Sequence, residues 1–147
     1  MTLTVSAAVA AALALLVTAP AFAETAPAAD TTTITLDFAT TAPTGKVMVA
    51  LFNSEAAYSG GAPVAQAMVD VAAGQHSAVF ADLPAGDYAA KTFHDVDGDG
   101  KMNTNPFGMP TEPFAFSNNA RGNMGPARWD AAHFAASGAV VQTIQLR

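Results

Sequence analysis

In the hexapeptide TITLDF, Ile34, Leu36 and Phe38 alternate with Thr33, Thr35 and Asp37. A helix would scatter those three apolar side chains around its circumference, whereas a strand places them on one face and the polar set on the other. The same reading recurs along the chain, each time bounded by a turn signal. TAPTG separates the first strand from KVMVALFN, whose Val47, Val49 and Leu51 lie opposite Met48, Ala50 and Phe52. Apolar on both faces, KVMVALFN reads as a central strand covered on both sides. SEAAYSGGAP reads as a loop, since Gly60-Gly61-Ala62-Pro63 disfavours a long helix. VAQAMVDVAAGQ fits strand or helical spacing, and its neighbours favour strand. HSAVFADL, DYAAKTFHD and AVVQTIQLR complete the set, the last with Ile144 and Leu146 inward. Short strands at regular spacing with turns between them predict an all-β fold, a single antiparallel β-sandwich over residues 34–147. In LPAGDY, Tyr88 stands just past the turn at Pro84 and Gly86, where its ring can tuck inside and its hydroxyl can reach the turn backbone.

The first part of the chain reads differently. An apolar run from Ala7 to Val17 breaks at Pro20 and closes on Ala21-Phe22-Ala23, the pattern of a cleaved signal peptide over residues 1–23. Its run is short and Ala-rich beside the roughly 20 apolar residues of a spanning helix. ETAPAADTTT, residues 24–33, is low in complexity and reads as a flexible leader. The expected destination is the periplasm or the outside of the cell. No cysteine is present in the 147 residues, so no disulfide staples the fold. A formal net charge of -6 without any Lys/Arg run excludes nucleic acid as an expected partner and argues against docking on anionic lipid. No membrane insertion of the mature chain is expected.

Residues 105–137 show no clear period, are punctuated by proline and glycine, and carry Phe107, Phe114, Phe116, Trp129 and Phe134. A stretch this apolar reads as an ordered excursion before the last strand, packing its aromatic side chains back on the sandwich. ARWDAAHF has room for one or two helical turns.

Three groups of residues could carry chemistry. In DVDGDGKMN, counting Asp95 as first, Asp97 is third, Asp99 fifth, Gly100 sixth, Lys101 seventh and Asn103 ninth. Calcium takes six to eight oxygen ligands, and a loop of this pattern supplies them from alternate side chains and from the backbone carbonyl at the seventh position. The twelfth position, a bidentate Glu in an EF-hand, is Pro106, and a strand precedes the loop, so this is no EF-hand. A calcium loop on a β framework is one reading, with Asn105 or Glu112 completing the set if the chain folds back. Three carboxylates so close repel unless a cation or full solvation intervenes. The other reading is a solvated hairpin turn, for which Asp-Gly pairs are common.

The second group is Phe116, Asn118, Asn119, Arg121 and Trp129. Aromatic faces stack and amides hydrogen-bond, so these could bind an envelope glycan or a peptide or protein partner. Alternatively the amides satisfy the loop's own backbone. The third group, His94, His133, Glu112 and Arg121, would make an enzyme only by converging in one pocket. Their spacing, like that of His76, matches no compact zinc pattern, Ser117 lacks a nucleophile elbow, and the expectation is a protein without catalytic activity.

Taken together, LPAGDYAAKTFHDVDGDGKMNTN, FGMPTEPFAFSNNARG and GPARWDAAHF resemble the domain-of-unknown-function family 2141, small exported bacterial β-sandwich proteins. The similarity runs from about Ile34 to Leu146, a domain's length. The chain departs from the family's Gly-Tyr-Gly pattern, carrying Glu112-Pro113-Phe114-Ala115-Phe116 instead. LPAGDY is also similar to the corner of transthyretin-like and carboxypeptidase-regulatory-like domains. The resemblance implies a prealbumin-like sandwich and implies no enzyme, because the chain ends in QTIQLR without the hydroxyisourate hydrolase signature.

Overall fold

Strand β1, Thr31–Ala39, is the centre of a three-stranded sheet between β4, Ser77–Pro84, and β8, Ala139–Gln145. The computed structural model describes residues 31–147, so the expected signal peptide and most of the expected leader lie outside the described residues. The end of that leader is corrected. Thr31, Thr32 and Thr33 belong to β1, and the fully buried Thr32 hydroxyl donates to the Ala136 carbonyl at 3.5 Å.

The second sheet is built from β2, Lys46–Phe52, β3, Ala65–Asp70, and β5, Gly86–Asp95. Its order is β3-β2-β5, and two short strands share the remaining edge of β5. Strand β6, Phe114–Phe116, pairs with residues 91–93, and β7, Phe134–Ala136, pairs with residues 86–88. All pairs are antiparallel save β1–β8, which run parallel from Thr33↔Ala139 to Ala39↔Gln145. A parallel neighbour needs a crossover, and the long excursion before β8 supplies it.

The two sheets bury one core. Ile34, Leu36 and Phe38 of β1 meet Val47, Val49 and Leu51 of β2, with Phe80, Tyr88, Ile144 and Leu146 closing the layer. Each fully buried aliphatic side chain contributes roughly 1.5–3 kcal/mol over its exposed state. Tyr88 is buried, and its hydroxyl donates to the Pro84 carbonyl at 2.7 Å, the corner expected from LPAGDY.

The outer face of the second sheet is divided. At one end Phe52, Tyr58, Ala89, Phe116 and Ala132 form a second buried cluster, with Trp129 half-buried against it. Two short helices cover this end: α1, Glu55–Gly60, and α2, Trp129–Ala132. The loop expected at SEAAYSGGAP is therefore a helix of 6 residues, capped by the Ser54 hydroxyl, which accepts the Ala57 N–H at 3.3 Å. Toward the other end Met48 is only half-buried, because the second cluster extends along β2 no further than Ala50, itself half-buried. Coverage of β2 on both faces thus holds at Phe52 and in part at Ala50. The excursion returns Phe116 and Phe134 to the interior, whereas Phe107 is 89% exposed and Phe114 is 36% exposed.

Candidate metal centre

Strand β5 delivers Asp95 to the edge of the sandwich. Its side chain is 2% exposed and serves as the anchor of the loop that follows. One carboxylate oxygen accepts the Gly98 N–H at 2.8 Å and the other accepts the Gly100 N–H at 2.9 Å. The local sequence permits this turn because Gly100 sits at φ +80°, a conformation that a Cβ would strain. Asp97 accepts the Asp99 N–H at 3.2 Å, and Asp99 accepts the Lys101 N–H at 2.8 Å. The loop is a succession of side-chain-to-backbone turns, the habit of Asp in such sequences.

These turns bring carboxylates together. One oxygen from each of Asp95, Asp97 and Asp99 lies within 4.8 Å of the others. The ion pair among the described residues, Arg128–Asp130 at 3.7 Å, is elsewhere and solvent-exposed. Asn103 lies beside the cluster, its amide N–H donating to Asp97 at 2.7 Å, while Lys101 is exposed.

The two residues expected to complete a ligand set are otherwise engaged. Glu112 turns one oxygen to the Val96 N–H at 2.8 Å and the other to the Asn103 N–H at 3.0 Å. It clasps the start and the finish of the loop without adding an oxygen to the cluster. The Asn105 side-chain oxygen accepts the N–H groups of Phe107 and Met109, closing a small hairpin that the Thr104↔Pro110 bridge extends. Glu112 as a clasp escaped the sequence reading, and the only local signal was its acidity beside a proline.

The second group is partly drawn into the fold. Phe116 is 7% exposed. Asn118 donates to the carbonyls of Ala131 at 3.3 Å and His133 at 2.7 Å, and its side-chain oxygen accepts from Gln142 at 2.9 Å. Asn119 donates to the Thr143 carbonyl at 2.9 Å and accepts the Gln145 N–H at 2.8 Å. Both residues adopt positive φ and stitch the excursion to β8. Trp129 stacks on His133, with centroids 5.4 Å apart, and meets Tyr58 edge-on. Arg121, without a hydrogen-bond partner among the described residues, stands on the wall of a shallow cavity of about 210 Å³ that Phe116 and Asn119 also line. The Phe116 ring is thus largely inside, and the exposed amides of Asn118 and Asn119 serve backbone groups of the excursion and of β8.

His94, His133, Glu112 and Arg121 share no hydrogen-bond partner. His94 is fully buried, with Nε2 2.6 Å from the Thr44 carbonyl and Nδ1 without a partner. His133 Nδ1 faces the Trp129 carbonyl at 3.0 Å. His76 is exposed.

The fold and this acidic corner define an all-β sandwich with a turn-rich loop at one sheet edge. The chain belongs to the family described as uncharacterized protein conserved in bacteria (DUF2141), which matches residues 34–144. No match was found among curated proteins or solved structures. Among the described residues no helix is long and apolar enough to cross a membrane.

Proposed function

We propose that this is an exported, non-catalytic β-sandwich whose acidic loop is locked by calcium. Asp95, Asp97 and Asp99 would supply carboxylate oxygens, Lys101 its carbonyl and Asn103 its amide oxygen. The observation that carries this reading is the approach of three carboxylates to within 4.8 Å without a cationic side chain paired to them. Such proximity costs free energy through mutual repulsion, and a divalent ion removes it. Asn103 now donates to Asp97; with an ion present its amide would turn to offer oxygen instead. Export is supported by the apolar run that closes on Ala21-Phe22-Ala23. The absence of a shared partner for the histidines, Glu112 and Arg121 supports a binding rather than a catalytic role.

A ligand that binds only the folded state stabilises it by mass action, about 2.7 kcal/mol at a hundredfold excess over Kd. For a domain of this size that raises Tm by roughly 10 °C. Thermal melts in millimolar calcium and in chelator test the reading. The expected result is a higher midpoint in calcium, a smaller rise in magnesium, which demands stricter octahedral geometry, and loss of the rise in Asp97→Asn. Coincident midpoints in calcium and chelator would sink it.

A further inference from the structure

The open half of the outer face is a groove of about 1340 Å³, larger than the roughly 300–1,000 Å³ of ordinary ligand pockets. Its floor is a lateral apolar row set by strand register: Met68 of β3 pairs with Met48 of β2, Met48 with Phe93 of β5, and Phe93 with Phe114 of β6. The hairpin beyond the acidic loop and the segment around Met124 raise its walls. Every methionine among the described residues lines it. At the rim Met68 is 56% and Met109 63% exposed. Unbranched thioether side chains adapt to varied apolar shapes, and a concave, mostly apolar lining with one convergent polar group is the form of a small-molecule site.

Charge decides the occupant. The chain carries 12 acidic residues, yet no carboxylate lines the groove, and its single charged side chain is Lys91. Lys91 Nζ donates to the Tyr58 carbonyl at 2.6 Å and lies 4.3 Å from the centroid of the Tyr58 ring. It has two further N–H donors and no carboxylate partner among the described residues. Burial lowers its pKa from the ordinary lysine value, the mark of an ammonium short of water. An extended peptide would bring an N–H and a C=O with every residue, and the groove offers few groups to pair them. A second copy docked through the same face would bring a second lysine and no carboxylate to pair with Lys91. A methylene chain needs no polar partners, and an anionic head suits the ammonium.

We propose that this groove binds a single-chain amphiphile, its hydrocarbon tail along the methionine–phenylalanine row and a carboxylate head at Lys91. The probe is dodecanoate below its micelle concentration, with dodecanol as the neutral-head control, titrated by calorimetry in chelator because calcium precipitates the carboxylate. Saturable binding of dodecanoate is expected, weakened about tenfold in Lys91→Gln, which keeps a donor for Tyr58. Dodecanol should bind both forms equally. Met68→Glu, on the exposed rim of β3, should abolish binding of both probes while leaving the melting curve cooperative. The proposal is overturned by the absence of saturable dodecanoate binding or by an affinity indifferent to Lys91→Gln. It is equally overturned by binding to anionic phospholipid vesicles without binding to dodecanoate, or by a dimer in sedimentation that Met68→Glu splits.

Discussion

Tyr58 concentrates much of the second cluster in one side chain. Its ring is 3% exposed, meets Phe52 edge-on at 5.5 Å, and its hydroxyl donates to the Ala127 carbonyl at 2.9 Å. Burial pushes its phenol up to about 12 from 10.0. Below the unfolded value both states hold the proton, and the stabilisation is fully present. As pH rises from 10.0 toward about 12, only the unfolded chain ionises, so stability falls across that window. Tyr88 is shifted in the same direction by burial. Tyr58→Phe should cost roughly 1–3 kcal/mol at neutral pH by orphaning the Ala127 carbonyl. The same change should flatten the alkaline decline, leaving the part that belongs to Tyr88 and the opposite contribution of Lys91, whose lowered pKa gains stability as pH rises. Urea unfolding on both sides of the window checks this, and an alkaline slope as steep as in the parent would contradict it. Gly45 acts on the acidic loop from the preceding turn. It sits at φ +76°, and a Cβ there would run into the Asp95 carbonyl. Gly45→Ala should destabilise the fold by roughly 1–3 kcal/mol and shrink the rise of Tm in calcium, both read from melts with calcium and with chelator.

At the scale of elements, the excursion is held by side chains as well as by the short ladders of β6 and β7 on β5. Asn118 and Asn119 tie it to β8 and to the end of α2, and Ser117 joins it to β5, its hydroxyl accepting the Ala90 N–H at 2.8 Å and donating to the Ala132 carbonyl at 2.6 Å. Asn119→Ala removes a donor and an acceptor together and should cost roughly 1–2 kcal/mol. Limited proteolysis should then cut within residues 120–126 at a protease concentration that spares the parent; an unchanged pattern would mean that the stitch does not hold the segment. The strands themselves were legible because their burial alternates with a period of two, as at Ile34, Leu36 and Phe38. Helix α1 was not, since its one positive signal was the Ser54 cap and the glycines after it argued for a loop. The roles of Asn118 and Asn119 were open in the sequence, because an amide reads the same whether it faces solvent or a carbonyl of β8. Two-sided coverage of β2 failed for a similar reason: apolar character at Met48 does not reveal whether another layer will arrive above it.

For the whole molecule, the sandwich was readable and its wiring was not. Local patterns name strands, but nothing in TITLDF states that its second neighbour is a parallel strand a hundred residues away. The convergence of Asp95, Asp97 and Asp99 was legible in their alternate spacing. The clasp of their loop was not, for Glu112 lies 16 residues beyond Val96 in sequence. Pairing β1 with β8 has a kinetic corollary. Contacts so distant along the chain are slow to form, because a large loop must close before any of them gains free energy. A polypeptide emerging from its amino end presents β1 early, with β4 as its sole available neighbour. The free edge of β1 stays an unpaired template until synthesis reaches β8, a hazard for pairing with other chains. The interval between those two arrivals, rather than the chemistry of either strand, sets how long that edge stays open in a nascent copy.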